Sequence, residues 1–204
     1  MGREERPLIL VSNDDGIGSM GLRTLAESLR ELGEVMVVAP DRERSAAGHS
    51  LTLSRPLRAS QVSDGWYSVD GTPTDCVTLA VMGLLPRRPA LVAAGINHGS
   101  NMGDDVTYSG TVSAAIEGAL QGIPAFAISV AGDMDLDFGA AGHFAKRLAE
   151  EILRRGLPRD TLLNVNVPNL PVEKIHGVAI TRQGRRVYSE TVVQKIDPRG
   201  KAYY

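Results

Sequence analysis

Asp14 and Asp15 stand side by side at the end of an apolar run, residues 8–12, with Gly16 directly after them. Two like charges this close repel each other and are costly to take out of water, which favours a cation between them. Successive side chains of an extended strand point to opposite faces, so both acids serve one centre only if the chain is already turning there. Gly16 and Gly18 permit that turn. By itself the pair fits a helix-capping acidic loop equally well. Ser45, in the polar stretch 42–50, and Asn97, at the head of the glycine-rich stretch 97–104, follow two more apolar runs. All are hard oxygen donors, the ligand set of Mg²⁺, Mn²⁺ or Ca²⁺, whereas zinc calls for His or Cys. His49 and His98 suit hydrogen-bonding roles. Ser109, Gly110 and Thr111 precede a small-residue run, 112–120, where hydroxyls and free N–H groups would make an anion site or would simply cap a helix. A metal and an anion nest near one another suggest phosphate chemistry.

The elements that must position these groups follow from periodicity. Runs 8–12, 35–39, 90–96, 123–130 and 162–168 are apolar and suit strands buried on both faces, as in a parallel sheet covered by helices. Leu22, Leu25, Leu29 and Leu32 have the spacing of one helix face, which Gly33 ends. Thr72 is an N-cap with Pro73 at the first helical position and Asp75 in the first turn, opening a helix to about Leu85. A further helix is predicted over 139–155, with Phe144, Leu148 and Ile152 on one face. Beta structure is expected over 51–57 and 66–69. Asn164 and Asn166 share a face of their strand and suit polar packing within the sheet. Residues 178–204 are basic and strand-like, including Arg182, Arg185, Arg186 and Tyr188. Open parallel sheets bind ligands beyond the carboxyl ends of their strands, so the ends carrying Asp14 and Asp15, Ser45, and Asn97 can converge on one point.

Composition narrows the partners. With 204 residues the chain can bury a sizeable core, and 22 Lys and Arg against 24 Asp and Glu leave a net charge of −2 with no nucleic-acid footprint. No stretch approaches the ~20 apolar residues of a membrane span, and residues 2–6 do not suit a signal peptide. Cys76, among Val77, Leu79 and Ala80, is the lone cysteine, which excludes disulfides within the chain and fits a reducing cytoplasm. Gly16, Gly18 and Gly21, with Asp41 beyond the second strand, spell a dinucleotide fingerprint. Two carboxylates where a pyrophosphate must approach oppose it unless a metal intervenes. A receiver-type regulatory domain also holds Mg²⁺ with acids after its first strand. That reading wants an Asp where Asn97 stands and a Lys after Val130, and the chain has neither.

The motifs Asn13-Asp14-Asp15-Gly16, Pro40-Asp41-Arg42-Glu43-Arg44-Ser45 with Gly48-His49-Ser50, Gly71-Thr72-Pro73-Thr74-Asp75, Gly95-Ile96-Asn97-His98-Gly99 with Asn101, and Tyr108-Ser109-Gly110-Thr111 occur in the order of the SurE (survival protein E) family, which the chain strongly resembles. The resemblance implies an α/β fold with a Rossmann-like three-layer core and a mostly parallel sheet, residues 1–170. A strand-rich segment, 171–204, would begin a C-terminal arm for subunit assembly, and the family pattern continues beyond Tyr204. It further implies a metal-dependent 5′/3′-nucleotidase acting on nucleoside monophosphates and, in some members, short polyphosphate. Asp14, Asp15, Ser45 and Asn97 match the ligands of one divalent ion, Mg²⁺ or Mn²⁺. Asn13, Asn97, Asn101, Ser109, Gly110 and Thr111 lie on the phosphate and substrate side. The implied assembly is a homodimer or homotetramer, without membrane or nucleic-acid polymer. Water is the expected nucleophile, with an aspartyl-phosphate on Asp14 or Asp15 as its rival.

Overall fold

A computed structural model describes residues 6–132, 135–185 and 192–204. Seven strands form one sheet in the order β3-β4-β2-β1-β5-β6-β7, with β1 Leu8–Ser12, β2 Glu34–Pro40, β3 Ala59–Ser63, β4 Trp66–Val69, β5 Leu91–His98, β6 Ala125–Ala131 and β7 Leu162–Pro168. All neighbours pair in parallel except β3 and β4. The chain winds outward from β1 through β2 and then returns to lay β5 on the other side of β1. That reversal makes the β1–β5 boundary the topological switch point, where a crevice opens at the carboxyl ends.

Four helices cover the sheet: α1 Met20–Leu29, α2 Pro73–Leu79, α3 Gly110–Leu120 and α4 Gly139–Arg155. Strand alternation sorts the core into two layers. Ile9, Val11, Val37 and Phe126 pack with Leu22, Leu25 and Leu29 of α1 and with the alanines of α4. Leu10, Val38, Val92 and Ala127 face Cys76 and Val77 of α2 and Val112 and Ala115 of α3 on the other side. Leu22, Leu25 and Leu29 are fully buried, so truncating any of them to alanine costs about 2–5 kcal/mol. Ser19 caps α1 by accepting from the Leu22 N–H. Thr72 caps α2 as the sequence predicts, Asp75 returns the bond to make a reciprocal capping box, and a π-helical turn over Ala80–Leu84 extends the helix.

Two predicted elements differ. Residues 51–57 form no strand: the Thr52 N–H and hydroxyl are taken by the Asp75 carboxylate at 2.9 and 2.6 Å, so its backbone does not pair with a ladder. Beyond β7 the described part of the C-terminal segment pairs only as the short ladder Lys195–Ile196 with Ala202–Tyr203. Residues 178–185, strand-like in sequence, form no strand among the described residues, and a strand needs a pairing partner. Arg186 and Tyr188 lie outside the described residues.

Candidate active site

At the end of β1 the chain turns through Gly16, whose φ of +94° is a left-handed conformation open to glycine. A Cβ there would also stand 2.9 Å from the Arg42 carbonyl carbon. The turn brings both acids to one side. Asp14 is 5% exposed, and its carboxylate accepts from the Thr111 hydroxyl and from the backbone N–H groups of Gly110 and Thr111 at the start of α3. Burial nevertheless raises its carboxyl above the usual range. Asp15 is less buried and accepts from the His98 N–H at 3.3 Å. Burial first, and then the Asp14 charge, push Asp15 up to about 6. Gly110 is the cradle for Asp14, since a Cβ there would lie 2.7 Å from the Asp14 Cβ and 2.8 Å from Oδ2.

Across the switch point, Asn97 is the penultimate residue of β5. Its Nδ2 donates to the Gly99 carbonyl at 2.8 Å, which leaves Oδ1 toward Thr111, whose hydroxyl is 3.4 Å away. Asn101 is buried, with its amide donating to Ser129 Oγ at 2.8 Å. Ser109 Oγ accepts from the Val112 N–H at 3.0 Å and so caps α3. The loop after β2 supplies Ser45. The Arg44 N–H donates to the Asp14 carbonyl at 2.7 Å and the Gly48 N–H to the Tyr108 carbonyl at 3.1 Å, seating that loop over the acids. Ser45 is exposed and donates to Glu43 Oε1 at 2.6 Å. His49 bonds Glu117 Oε2 of α3 at 3.0 Å, the hydrogen-bonding role its type suggests.

Asp14, Asp15, Ser45, Asn97, Asn101 and Ser109 therefore line one cleft of about 740 Å³. Gly110 and Thr111 approach it through Asp14. Asn13 stands behind, fully buried, its Nδ2 donating to Ser19 Oγ at 2.8 Å while its Oδ1 has no partner among the described residues. Among the described residues no three His, Cys, Asp or Glu side chains gather as a metal cluster. The donors instead are two carboxylates and neutral oxygens, which fit a hard divalent cation: both acids are raised by burial, and opposite charge would lower them.

The glycine fingerprint has a structural use. Gly21 lets α1 approach β5 so closely that a Cβ would lie 2.0 Å from the Ile96 carbonyl oxygen, and Asp14 holds the α3 amino terminus. Sequence reasoning missed the apolar rim of the cleft: Met20, 66% exposed, Tyr108, 64% exposed, and the partly buried Phe138. Tyr108, next to Ser109, carries a local signal; Phe138 arrives from the start of α4 and carries none. Asn164 and Asn166 also reach toward this region, donating to the Asn101 carbonyl at 2.9 and 3.0 Å rather than packing within the sheet.

Fold and cleft define a doubly wound α/β protein with an acidic, oxygen-rich crevice at its switch point. The sequence model of the family described as Survival protein SurE matches residues 9–190. The 5′-nucleotidase SurE of Pelobacter propionicus is 57% identical over 197 residues, covering 96% of this chain and 80% of the relative. That of Geobacter metallireducens is 58% identical over 200 residues, covering 96% and 78%. The crystal structure of the SurE protein from Aquifex aeolicus superposes with a TM-score of 0.89 at 48% identity, over 97% of this chain and 81% of that one. The chain belongs to the SurE family.

Proposed function

We propose that this chain is a divalent-metal-dependent phosphomonoesterase that hydrolyses nucleoside 5′- and 3′-monophosphates to nucleoside and phosphate. Relatives named 5′-nucleotidase SurE, 57% and 58% identical over 96% of this chain, support the reaction. The observation that carries the site is the meeting of Asp14, Asp15, Ser45 and Asn97 in one cleft at the carboxyl ends of β1, β2 and β5. These four would hold one ion, Mg²⁺ or Mn²⁺. Such an ion, when bound, polarises a phosphoryl oxygen and lowers the pKa of an attacking water.

The chain's own groups do the rest. Asn97, Asn101 and Ser109 face the substrate side, Gly110 and Thr111 reach it through Asp14, and Asn13 supports it from behind. The first N–H groups of α3 are taken by Asp14 and by Ser109 Oγ, so the helix start serves to hold Asp14. Thr111 and two backbone N–H groups occupy the Asp14 carboxylate, which orients it as a ligand and dulls it as a nucleophile. Attack is therefore assigned to water; a phosphoenzyme trapped from labelled substrate would overturn that. Met20, Tyr108 and Phe138 offer an apolar rim on which a base or ribose can lie, something inorganic polyphosphate cannot use. Exposed Val178, Ile180 and Val193 in the C-terminal segment support assembly as a homodimer or homotetramer. The domain division at about residue 170 and a cytoplasmic setting belong to the same reading, and no helix of the described residues is long and apolar enough to cross a membrane.

The test is phosphate release from nucleoside monophosphates, polyphosphates and sugar phosphates, each with Mg²⁺, Mn²⁺ or chelator. Release from nucleoside monophosphates that needs the metal is the expected result, and no release from any of them refutes the function.

A further inference from the structure

Asn164 and Asn166 sit on β7, the edge strand two places from β5, yet their amides converge on one residue of the loop after β5. The Asn101 N–H donates to Asn166 Oδ1 at 2.8 Å, and the Asn101 carbonyl accepts from Asn166 Nδ2 at 3.0 Å and from Asn164 Nδ2 at 2.9 Å. Both backbone groups of Asn101 are thus held by side chains, as a neighbouring strand would hold them with its backbone. The side chain is fixed separately, through Nδ2 to Ser129 Oγ of β6. Asn101 is only 7% exposed and lines the cleft. Edge-strand positions that serve only to keep a sheet soluble have no need of two amides aimed at one peptide unit.

We propose that Asn164 and Asn166 are positioning residues: from β7 they lock the Asn101 peptide, and so place the Asn101 amide for a phosphoryl oxygen. The proposal rests on the reading of Asn101 as a substrate-side residue. The chemistry favours it, because a hydroxyl both donates and accepts. Ser129 Oγ can hold the Asn101 amide by either end, so the amide can turn its NH₂ to an anion without losing its anchor. Freed from the β7 clamp, the loop would lose that placement while the groups assigned to the metal stayed where they are, since no hydrogen bond joins Asn164 or Asn166 to Asp14, Asp15, Ser45 or Asn97 among the described residues.

The experiment compares wild type, Asn164→Ala, Asn166→Ala, Asn101→Ala and the double variant Asn101→Ala/Asn166→Ala. Each is titrated calorimetrically with inorganic phosphate in saturating Mn²⁺, and with Mn²⁺ alone. Asn164 is exposed, so its replacement tests the clamp with little risk to folding. Loss of one hydrogen bond predicts phosphate affinity weakened about 3- to 10-fold for Asn164→Ala, and loss of two about 10- to 100-fold for Asn166→Ala, with Mn²⁺ affinity unchanged. KM for nucleoside monophosphates should rise in parallel, and kcat should change less. The double variant should bind phosphate no more weakly than Asn101→Ala, because the clamp acts through that residue. A lowered melting temperature with unchanged phosphate affinity makes the asparagines merely structural and overturns the proposal; so does an equal loss of Mn²⁺ affinity, or additivity in the double variant. The phosphate titrations stand even if wild type turns over no nucleotide, so failure of the nucleotidase reading is seen separately.

Discussion

Two loops face each other across the cleft and are held in opposite ways. The loop after β5 is fixed by the sheet itself: its buried Asn101 is bonded through backbone and side chain to β6 and β7. The loop after β2 is fixed at scattered points, among them Arg44 to Asp14 and Asp70, Gly48 to Tyr108, His49 to Glu117 and Ser50 to Thr72, and leaves Ser45 in solvent. Ser45 donates to Glu43, so its lone pairs stay available to a cation while its hydroxyl direction is set. On the proposed reading, the sheet side would place the phosphoryl group and the loop side would contribute one neutral ligand on an exchangeable mount. Substitutions should cost most where the site is built into the core and progressively less toward the loop and the rim.

The largest loss is expected at the buried end of β1. Asp14→Asn should lower turnover about a thousandfold, since it removes one of the two carboxylates assigned to the metal. Without metal the variant should melt at the same temperature or slightly higher, because a carboxyl raised by burial is replaced by a neutral amide. Steady-state assays with Mn²⁺ and thermal melts in chelator check the two halves, and full activity refutes the ligand assignment.

How much of this was legible follows the range of the interactions. The sheet and helices could be read because continuous apolar runs and a 3.6-residue stripe are local signals, and the family motifs located Asp14, Asp15, Ser45 and Asn97. Leu51, Leu53 and Leu57 stand at odd positions as in a strand, yet residues 51–57 form none. Leu53 is in fact 88% exposed, and Asp75, 23 residues further along the chain, takes the Thr52 donors. Asn164 and Asn166 gave a face but not a target, since their partner lies 63 and 65 residues upstream. Phe138 reaches the rim only because α4 packs beside α1. What depends on where two distant segments meet has no local period to reveal it.

A smaller effect tests the loop side. Ser45→Ala should weaken Mn²⁺ binding about tenfold, well short of Asp14→Asn, because a neutral ligand on an exposed loop is replaceable by water. Equal losses at Ser45 and Asp14 would erase the contrast between the two mounts. At the rim, Tyr108→Ala should raise KM for nucleoside monophosphates about 5- to 10-fold through lost stacking. Inhibition by inorganic phosphate should not change, and a parallel loss of phosphate affinity would move Tyr108 from the rim to the phosphate side.

The smallest expected effect is in stability, and it separates the two acids that follow β1 from the acids of the surface. Asp15 titrates near 6 in the folded protein against an ordinary 3.8, raised chiefly by burial and then by Asp14. Between those values the native state keeps a proton that the unfolded chain has released, so unfolding stability falls as pH rises from about 4 to about 6. The penalty is absent below the lower value and complete above the upper one. The full shift corresponds to at most about 3 kcal/mol, and solvent around the partly exposed Asp15 reduces it to about 1 kcal/mol. Glu31, Asp70 and Glu151, held low by Lys146, by Arg58 and Arg55, and by Arg154, act in the opposite direction, since their stabilisation is lost as pH falls. The quantity to measure is therefore a difference: urea unfolding of wild type and Asp15→Asn in chelator at pH 4, 5, 6 and 7. The variant should gain stability over wild type as pH rises through this window and hold that gain above it. Saturating Mn²⁺ should reverse the order, because the cation favours the charged carboxylate that the variant lacks. A pH-independent difference would mean that Asp15 is not held against its charge, and that the pair at the end of β1 is an ordinary acidic loop.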